Sequence, residues 1–189
     1  MKLKRILPYA KELLQGIVKE GDTVVDATAG NGYDTLFLAS LVGTQGHVFA
    51  FDVQKEAIES TSEKLSNAEL RDRVSLILDS HENVGEYVKN KISAAVFNLG
   101  YLPGSNHEVV TTGNSTTKAI SSLLDLLEVG GLIVLVVYHG HEGGKQEKDE
   151  LISFVQRLPQ SFVHVLCYQF LNQENDPPFI IAIEKMKER

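Results

Sequence analysis

Two carboxylates flank a pair of glycines near the amino terminus. The segment Asp26-Ala-Thr-Ala-Gly30-Asn31-Gly32 follows a short β-branched run, and Asp34 comes just before a run of apolar residues. A strand, a glycine-rich turn and a helix in this order are typical of a nucleotide-type cofactor site at the edge of a parallel sheet. Glycines allow positive φ and close approach of a ligand, and the first N–H groups of the helix face that ligand.

The residue types in this turn favour S-adenosylmethionine over a dinucleotide. A dinucleotide fingerprint needs a third small residue where this chain has Thr35, and a P-loop needs a Gly-Lys-Ser/Thr element that the turn lacks. Carboxylates repel a pyrophosphate, but they suit the ammonium and sulfonium charges of S-adenosylmethionine. Asp52 ends a second apolar strand about twenty residues after Gly32, where an acid can bind two ribose hydroxyls. That second feature fits NAD equally well, so the first turn decides the prediction.

The elements that position these residues alternate along the chain. Apolar periodicity and turn signals predict helices over 3–19, 33–42, 54–67, 82–89, 115–127 and 146–157. They predict strands over 22–27, 47–52, 74–78, 92–97, 132–138, 162–170 and 179–185. This order indicates an α/β fold with a seven-stranded, mostly parallel sheet and helices on both faces. A short polar loop joins the last two strands, which are therefore expected to form an antiparallel hairpin. The 189 residues suit one domain spanning 1–189.

Polar clusters follow the predicted strands at the edge where such a sheet binds ligands. Strand three leads into Asp79-Ser80-His81, which is placed to meet an adenine, although Asp79 or Ser80 is equally suited to cap the next helix. Strand six leads into the segment from Asn172 to Pro178. Because the clusters share one edge, the sequence favours a binding site there over a purely structural domain.

The segment Asn98-Leu-Gly-Tyr101 after strand four indicates the reaction class. Methyl transfer to an amine needs a neutral nitrogen aimed in line at the methyl carbon, and an asparagine carbonyl can accept the amine hydrogens and fix that aim. Tyr101 can stack on a flat base. The segment resembles the Asn-Pro-Pro-Tyr element of amino-methyltransferases, with Leu99 and Gly100 in place of the prolines. An ordinary turn is the alternative.

Histidines and glycines follow strand five in the segment Tyr138-His-Gly-His141. A metal site is disfavoured because the nearby acids lack ligand spacing. One histidine, with His139 the first candidate, is suited to act as a general base. A histidine hydrogen-bonded within its own loop is the alternative for each.

Charge and composition restrict the partners. The net charge of −7 argues against extensive non-specific nucleic-acid binding, but it leaves room for local basic patches. Cys167, the only cysteine, lies in an apolar run and is expected to be a core thiol. Neither a signal peptide nor a membrane-length apolar run is evident, so a cytoplasmic protein without membrane contact is expected. The candidate basic residues are Lys2, Lys4, Arg5, Arg71, Arg73, Lys145, Lys185, Lys187 and Arg189.

Four segments taken together resemble one family of class I methyltransferases. They are 26–35, 98–104, Tyr138-His-Gly-His141 with Gly143-Gly144, and 172–178. This family was long labelled as rRNA methylases. Its characterised members are similar to tRNA wobble-uridine methyltransferases, which use S-adenosylmethionine to convert 5-aminomethyl-2-thiouridine to the 5-methylaminomethyl form. The resemblance covers nearly the whole chain and implies a Rossmann-like fold, a tRNA anticodon loop as partner and a possible homodimer.

The resemblance, added to the strand-end argument, gives a set of predicted roles. The alternatives are an rRNA or small-molecule amine methyltransferase on the same fold, or a non-catalytic module that binds S-adenosylmethionine or NAD. We expect catalytic roles for Asn98, Tyr101 and His139; cofactor binding by Asp26, Ala27, Gly30, Asn31, Gly32, Asp34, Thr35, Asp52, Gln54, Asp79, Ser80 and His81; and substrate binding by Tyr101, Leu102, Gly104, Tyr138, His141, Asn172 and Asn175.

Overall fold

A mixed seven-stranded sheet organises the chain in the computed structural model, which describes residues 2–100, 113–140 and 143–188. The strands are β1 (Thr23–Asp26), β2 (His47–Asp52), β3 (Val74–Leu78), β4 (Ile92–Leu99), β5 (Leu127–Val137), β6 (Val163–Tyr168) and β7 (Phe179–Lys185). The helices are α1 (Ile6–Ile17), α2 (Tyr33–Leu41), α3 (Lys55–Asn67), α4 (Val84–Tyr87), α5 (Gly113–Leu126) and α6 (Gly144–Gln156), with short 3₁₀ turns at Arg71–Arg73 and His81–Asn83.

The strand order is β3-β2-β1-β4-β5-β7-β6. All the pairs among the first five strands are parallel: β1 with β2, β1 with β4, β2 with β3 and β4 with β5. In contrast, β7 runs antiparallel to both β5 and β6. The predicted mostly parallel sheet and its carboxyl-terminal hairpin are therefore confirmed. The order changes direction between β1 and β4, which is the kind of place where open α/β sheets bind ligands.

Helices cover both faces of the sheet, as predicted. Neighbouring strand residues point to opposite faces, so Val24 packs with α1, α2 and α3 while Val25 packs with α4, α5 and α6. Both residues are fully buried. Strands buried on two sides need continuous apolar runs, which explains the apolar residues of β4 from Ala94 to Phe97 and of β5 from Leu132 to Val137.

Several element boundaries differ from the sequence expectations, and one of the differences affects the site. β4 continues to Leu99, two residues beyond its predicted end, so Asn98 lies within the strand and not after it. β5 begins at Leu127, earlier than the predicted Leu132, with an irregular register against β4. α5 begins at Gly113, before the predicted start at residue 115.

Two predictions about single side chains are wrong: Cys167 is not a core thiol, and Lys185 is not part of a basic surface patch. Cys167 is exposed because β6 is an edge strand, and most of its residues face solvent. Lys185 is buried and donates to the Leu127 carbonyl at 2.6 Å, so it is unavailable for a surface patch. In residues 2–100, 113–140 and 143–188, no helix has the length and apolar character needed to cross a membrane.

Candidate active site

The glycine-rich turn between β1 and α2 is shaped by two glycines with positive φ. Gly30 has φ 52° and Gly32 has φ 78°. A Cβ on Gly32 would lie 2.9 Å from Oγ1 of Thr61, so a larger residue would also collide with α3. The Thr61 hydroxyl donates to the Gly30 carbonyl at 3.1 Å. Thr61, which the sequence did not single out, therefore fixes the turn against the neighbouring helix.

Asp26 forms the buried base of the turn. Its carboxylate accepts hydrogen bonds from the Thr28 N–H at 3.1 Å and from the Thr35 hydroxyl at 2.6 Å. Burial, reinforced by the negative charge of Asp34, raises the pKa of Asp26 to about 7. The side chains of Asp26, Ala27 and Thr35 are all buried, so their geometry supports the turn and leaves its exposed rim to other residues.

Asp52 joins the end of β2 to the same turn. One carboxylate oxygen accepts the Gly30 N–H at 2.8 Å, and the other accepts the Gln54 N–H at 2.9 Å. Desolvation raises the pKa of Asp52, although these hydrogen bonds oppose the shift. A carboxylate oxygen has more than one acceptor position, so both oxygens retain the capacity to bind ribose hydroxyls.

The segment after β3 is organised mainly by local hydrogen bonds. The Asp79 carboxylate accepts from the Ser80 N–H at 2.7 Å, from the Asn83 amide and from the Tyr87 hydroxyl at 2.8 Å. The Ser80 hydroxyl accepts from the Glu82 N–H at 3.3 Å. The capping alternative therefore describes the contacts seen here, and it leaves the predicted adenine contact open because a carboxylate oxygen can accept more than one hydrogen bond.

His81 links the β3 segment to the cofactor turn. Its Nδ1 lies 3.1 Å from the carbonyl of Ala27, which can only accept, so Nδ1 carries a proton. Burial lowers the pKa of His81 and favours the neutral ring. Nε2 is buried without a hydrogen-bond partner among the described atoms. A neutral ring protonated at Nδ1 presents Nε2 as an acceptor at this edge of the sheet.

Asn98 lies near the end of β4 and connects this strand to the glycine-rich turn. We call the part of the site around Asn98, Tyr138 and His139 the acceptor side, because the methyl acceptor is predicted to bind there. Its backbone N–H donates to the Thr28 hydroxyl at 2.7 Å, and its side-chain Nδ2 donates to the Asp34 carboxylate. Since Nδ2 is directed to the acid, Oδ1 is the atom with which Asn98 would accept hydrogens from a substrate. The sequence placed Asn98 and Asp34 at the same edge but did not anticipate their contact.

The ends of β4 and β5 pack closely beside Asn98. The Tyr138 N–H donates to the Leu99 carbonyl at 2.9 Å. Gly100 has φ 149°, and a Cβ there would lie 3.1 Å from the Tyr138 Cβ. Burial, together with the negative charge of Asp34, raises the pKa of the Tyr138 phenol. Tyr138 therefore lies within electrostatic range of the Asn98–Asp34 pair and remains protonated at neutral pH.

His139 lies at the mouth of a cavity of about 370 Å³ between α6 and the β6–β7 connection. Its Nδ1 is 3.8 Å from the Asp176 carboxylate, and its ring packs against Phe179. Asn175 also lines this cavity, whereas Asn172 is exposed elsewhere in the connection. Asn175 and Asp176 adopt positive φ values of 65° and 48°, an uncommon conformation for residues other than glycine. Asp176 belongs to the segment from Asn172 to Pro178, but its contact with His139 was not predicted because only the folded hairpin brings the two side chains together.

The remaining predicted site residues fall into two groups. Tyr101, Leu102, Gly104 and His141 lie outside the described residues. Asn31 is exposed on the glycine-rich turn and Gln54 is partly exposed beside Asp52. Across residues 2–100, 113–140 and 143–188, no group of three or more His, Cys, Asp or Glu side chains is arranged to hold a metal ion.

A family model described as "putative rRNA methylase" matches residues 48–184. The chain belongs to this family. A chloroplastic tRNA (mnm(5)s(2)U34)-methyltransferase from Arabidopsis thaliana is 37% identical to it, over 96% of this chain and 70% of the relative. The family recognised from the four sequence segments is thereby confirmed.

Two solved structures resemble the chain closely. A "putative rRNA-methylase" from Clostridium thermocellum has a TM-score of 0.97 and 44% identity, covering 98% of this chain and 100% of the other. A "putative methyltransferase" from Streptococcus mutans, solved in complex with SAH, has a TM-score of 0.90 and 42% identity, covering 97% and 99%. The predicted class I methyltransferase fold is confirmed, and at the level of the family so are methyl transfer and the S-adenosylmethionine cofactor.

The residues of the turn fit this cofactor. Asp26 and Asp34 supply negative charge around the turn, Asp52 offers acceptor oxygens, and His81 Nε2 is a buried acceptor without a partner. None of these groups suits a pyrophosphate. The donor and acceptor set therefore favours a cationic cofactor with a ribose over a dinucleotide.

Proposed function

We propose that this protein transfers a methyl group from S-adenosylmethionine to the exocyclic amine of 5-aminomethyl-(2-thio)uridine at the wobble position of tRNA. The observation that carries the proposal is the position of Asn98 beside the glycine-rich turn, where Nδ2 donates to Asp34 and Oδ1 is the amide atom left to face an amine. The Arabidopsis relative, which is named for a modified uridine at position 34, supports the choice of substrate.

The proposed chemistry asks the protein mainly for orientation. Bound S-adenosylmethionine supplies a methyl group on a positively charged sulfur. An aliphatic amine is mostly protonated at neutral pH, so it must lose a proton before it can react. Asn98 Oδ1 accepts an N–H of the neutral amine and aims its lone pair. The N–C bond forms as the C–S bond breaks, the sulfur keeps that electron pair, and the methylated ammonium later releases a proton.

The remaining proposed roles follow from the positions of the side chains. Asp52 binds the ribose, and the turn from Gly30 to Gly32 approaches the methionine part of the cofactor. Tyr138 and His139 contact the nucleotide from the β5 side. His139, whose Nδ1 lacks a hydrogen-bond partner among the described atoms, is the candidate acceptor for the amine proton.

The proposed tRNA contact is small and local. A single anticodon loop needs few phosphate contacts, which an acidic protein can still provide. Lys2, Lys4, Arg5 and Lys145 are exposed. Arg71 and Arg73 are weaker candidates because their guanidinium groups donate to the carbonyls of Val74 and Ala39. The proposed substrate also implies that the protein acts in the cytoplasm, where tRNA is available.

A homodimer would extend this contact surface, and β6 supports the proposal. β6 ends the strand order, so its outer edge pairs with no other strand of the described chain. Val165 and Leu166 on this strand are 40% and 48% exposed. Apolar side chains on an open edge strand are a recognised site of association. Light scattering coupled to size-exclusion chromatography tests this: a mass near 42 kDa, twice the chain's 20.9 kDa, supports the dimer and a monomer contradicts it.

The decisive experiment is nucleoside mass spectrometry. Purified protein and S-adenosylmethionine are incubated with bulk tRNA from cells that lack this gene, and the digested nucleosides are compared with a reaction that lacks the cofactor. We expect a mass gain of one methyl group on 5-aminomethyl-(2-thio)uridine and a matching loss of that precursor.

Matched reactions separate this proposal from its alternatives. Asn98→Ala, which retains the backbone hydrogen bond to Thr28, should bind the cofactor but form the methylated nucleoside far more slowly. A synthetic anticodon stem-loop carrying the aminomethyl group should be a substrate, and the same loop with unmodified uridine should not. If rRNA or a free amine is methylated while tRNA is not, the proposal is wrong in its substrate.

A further inference from the structure

A closed ring of contacts joins the cofactor turn to Asn98. Thr35 donates to Asp26, and the Thr28 N–H donates to the same carboxylate. The Thr28 hydroxyl accepts the Asn98 backbone N–H, and the Asn98 side chain donates to Asp34. Since Asp34 precedes Thr35 in the chain, the path returns to its start. The position of Asn98 is therefore tied to the conformation of the turn through both its backbone and its side chain.

The contact with Asp34 has a specific consequence for Asn98. The two ends of an asparagine amide have nearly the same shape, but one end only donates hydrogen bonds and the other only accepts them. An ionised carboxylate only accepts, so it binds the Nδ2 end and leaves Oδ1 on the opposite side. In the flipped orientation, two acceptors would face each other. Asp34 thus selects the amide orientation that an incoming amine requires.

The charge of Asp34 acts in the same direction. A carboxylate that accepts from Nδ2 polarises the amide and makes Oδ1 a stronger acceptor, because hydrogen bonds in a chain reinforce one another. The nitrogen of the substrate becomes positive as it gains the methyl group, and a fixed negative charge nearby stabilises that change. The influence of Asp34 on the pKa values of Asp26 and Tyr138 shows that its charge reaches both sides of the site.

We propose that Asp34 is a positioning residue that orients the Asn98 amide, so that Oδ1 faces the substrate amine. This inference rests on the proposed function, because it assigns Asp34 to the amine side of that same site. Two simpler roles are the alternatives: Asp34 as a direct ligand of the cofactor, or as an acid in the first turn of α2 that merely stabilises the helix.

The variants that distinguish these roles are Asp34→Ala, Asp34→Asn, Asn98→Ala and the double variant of Asp34→Ala with Asn98→Ala. Initial rates with the aminomethyl anticodon stem-loop give kcat, and calorimetry gives the Kd for S-adenosylmethionine. Glu56→Ala is the matched control, because Glu56 is an exposed acid in the first turn of α3.

For Asp34→Ala we expect kcat to fall by at least about tenfold, and by clearly more than the cofactor Kd rises, because the lost carboxylate also contributes to the negative charge around the turn. Asp34→Asn should recover part of the rate, because its own amide oxygen can accept from Asn98 Nδ2. The double variant should be no slower than Asn98→Ala, and Glu56→Ala should match the unmodified protein. Additive losses in the double variant, or a Kd that rises in parallel with the loss of kcat, would overturn the inference.

A second measurement does not need any substrate. In NMR spectra of the free protein, the side-chain amide signals of Asn98 should move in Asp34→Ala and stay in place in Glu56→Ala. Unchanged signals in Asp34→Ala would refute the orienting contact even if tRNA is methylated. Displaced signals without methylation of any tRNA nucleoside would retain the contact and reject the proposed substrate.

Discussion

The two sides of the site are built in different ways. On the cofactor side, the carboxylates of Asp26 and Asp52 accept main-chain N–H groups from residues close by in the turn or the strand end. On the acceptor side, His139 stands 3.8 Å from Asp176 without a hydrogen bond at Nδ1 among the described atoms. Asp176 is also one of two neighbouring residues with positive φ.

This difference matches the tasks of the two sides. A cofactor that is the same in every turnover suits a turn whose geometry is fixed before binding, because the ordering cost is then met during folding. A nucleotide that must enter and leave suits a region whose polar groups become fully paired only in the complex. Asn98 belongs to both sides, since its backbone bonds to Thr28 and its side chain to Asp34.

The largest expected effect comes from removing Asn98, the residue that joins the two sides. In Asn98→Ala, kcat should fall by about 100-fold because the amine loses its aim at the methyl carbon. The Kd for S-adenosylmethionine should stay within about threefold, since the hydrogen bonds of Asp26 and Asp52 are untouched. Steady-state rates and calorimetry on the same preparation measure both quantities. Equal losses in rate and affinity would show that Asn98 supports the cofactor side alone.

Asp52→Ala should weaken binding of the cofactor without slowing the reaction at saturating cofactor. Hydrogen bonds to a charged group contribute about 1.5–3 kcal/mol, so the loss of ribose contacts should raise the cofactor Kd by about 10- to 100-fold. At saturating cofactor, kcat should remain within about threefold of the unmodified protein.

Glu56→Ala is the matched control for Asp52→Ala, because Glu56 is an exposed acid in the first turn of α3. It should leave the cofactor Kd within about threefold. A Kd in Asp52→Ala that equals the unmodified value would refute the ribose assignment.

The glycine-rich turn could be predicted from the sequence because the residues that shape it are close together in the chain. Gly30, Gly32 and Asp34 lie within one turn, and the acid at Asp52 follows an apolar strand at a recognisable spacing. The alternation of strands and helices likewise fixes the sheet's direction, since parallel strands need crossover connections. The order of strands and helices in the sequence therefore predicts that the carboxyl ends of the parallel strands face the ligand.

The acceptor side was less predictable because it depends on contacts between distant parts of the chain. The pair of Asn98 and Asp34 spans 64 residues, and His139 meets Asp176 only because β7 returns beside β5. No local pattern reports either contact. The exposure of Cys167 was missed for the same reason, since an apolar strand reads alike at the centre and at the edge of a sheet.

A moderate effect of pH is expected on cofactor binding. The pKa of Asp26 is raised to about 7 by burial and by the charge of Asp34, so this carboxyl is mostly protonated at pH 6 and mostly ionised at pH 8. A cationic cofactor favours the ionised form, so affinity should rise as pH increases through 7. The Kd at pH 6 should be up to about tenfold weaker than at pH 8, since only about one tenth of the carboxyl is ionised there.

Calorimetry at both pH values measures this effect, and Asp26→Asn should remove most of it. Affinity that falls between pH 6 and 8 would contradict the arrangement of acids around the turn.

The smallest expected effect concerns the contact between His139 and Asp176. The Asp176 side chain is 47% exposed and its carboxylate is 3.8 Å from Nδ1, which is beyond hydrogen-bond distance, so the contact is expected to be weak. Asp176→Asn should therefore raise KM for the aminomethyl stem-loop by less than about fivefold and leave the cofactor Kd unchanged. Exposed Asp149 on α6 supplies the matched control Asp149→Asn, which should change neither value. The hydrogen bonds of Asp26 and Asp52 do not involve His139 or Asp176, so the cofactor Kd should not depend on this contact. If Asp176→Asn changes the cofactor Kd as much as it changes KM, the two sides of the site bind their ligands cooperatively.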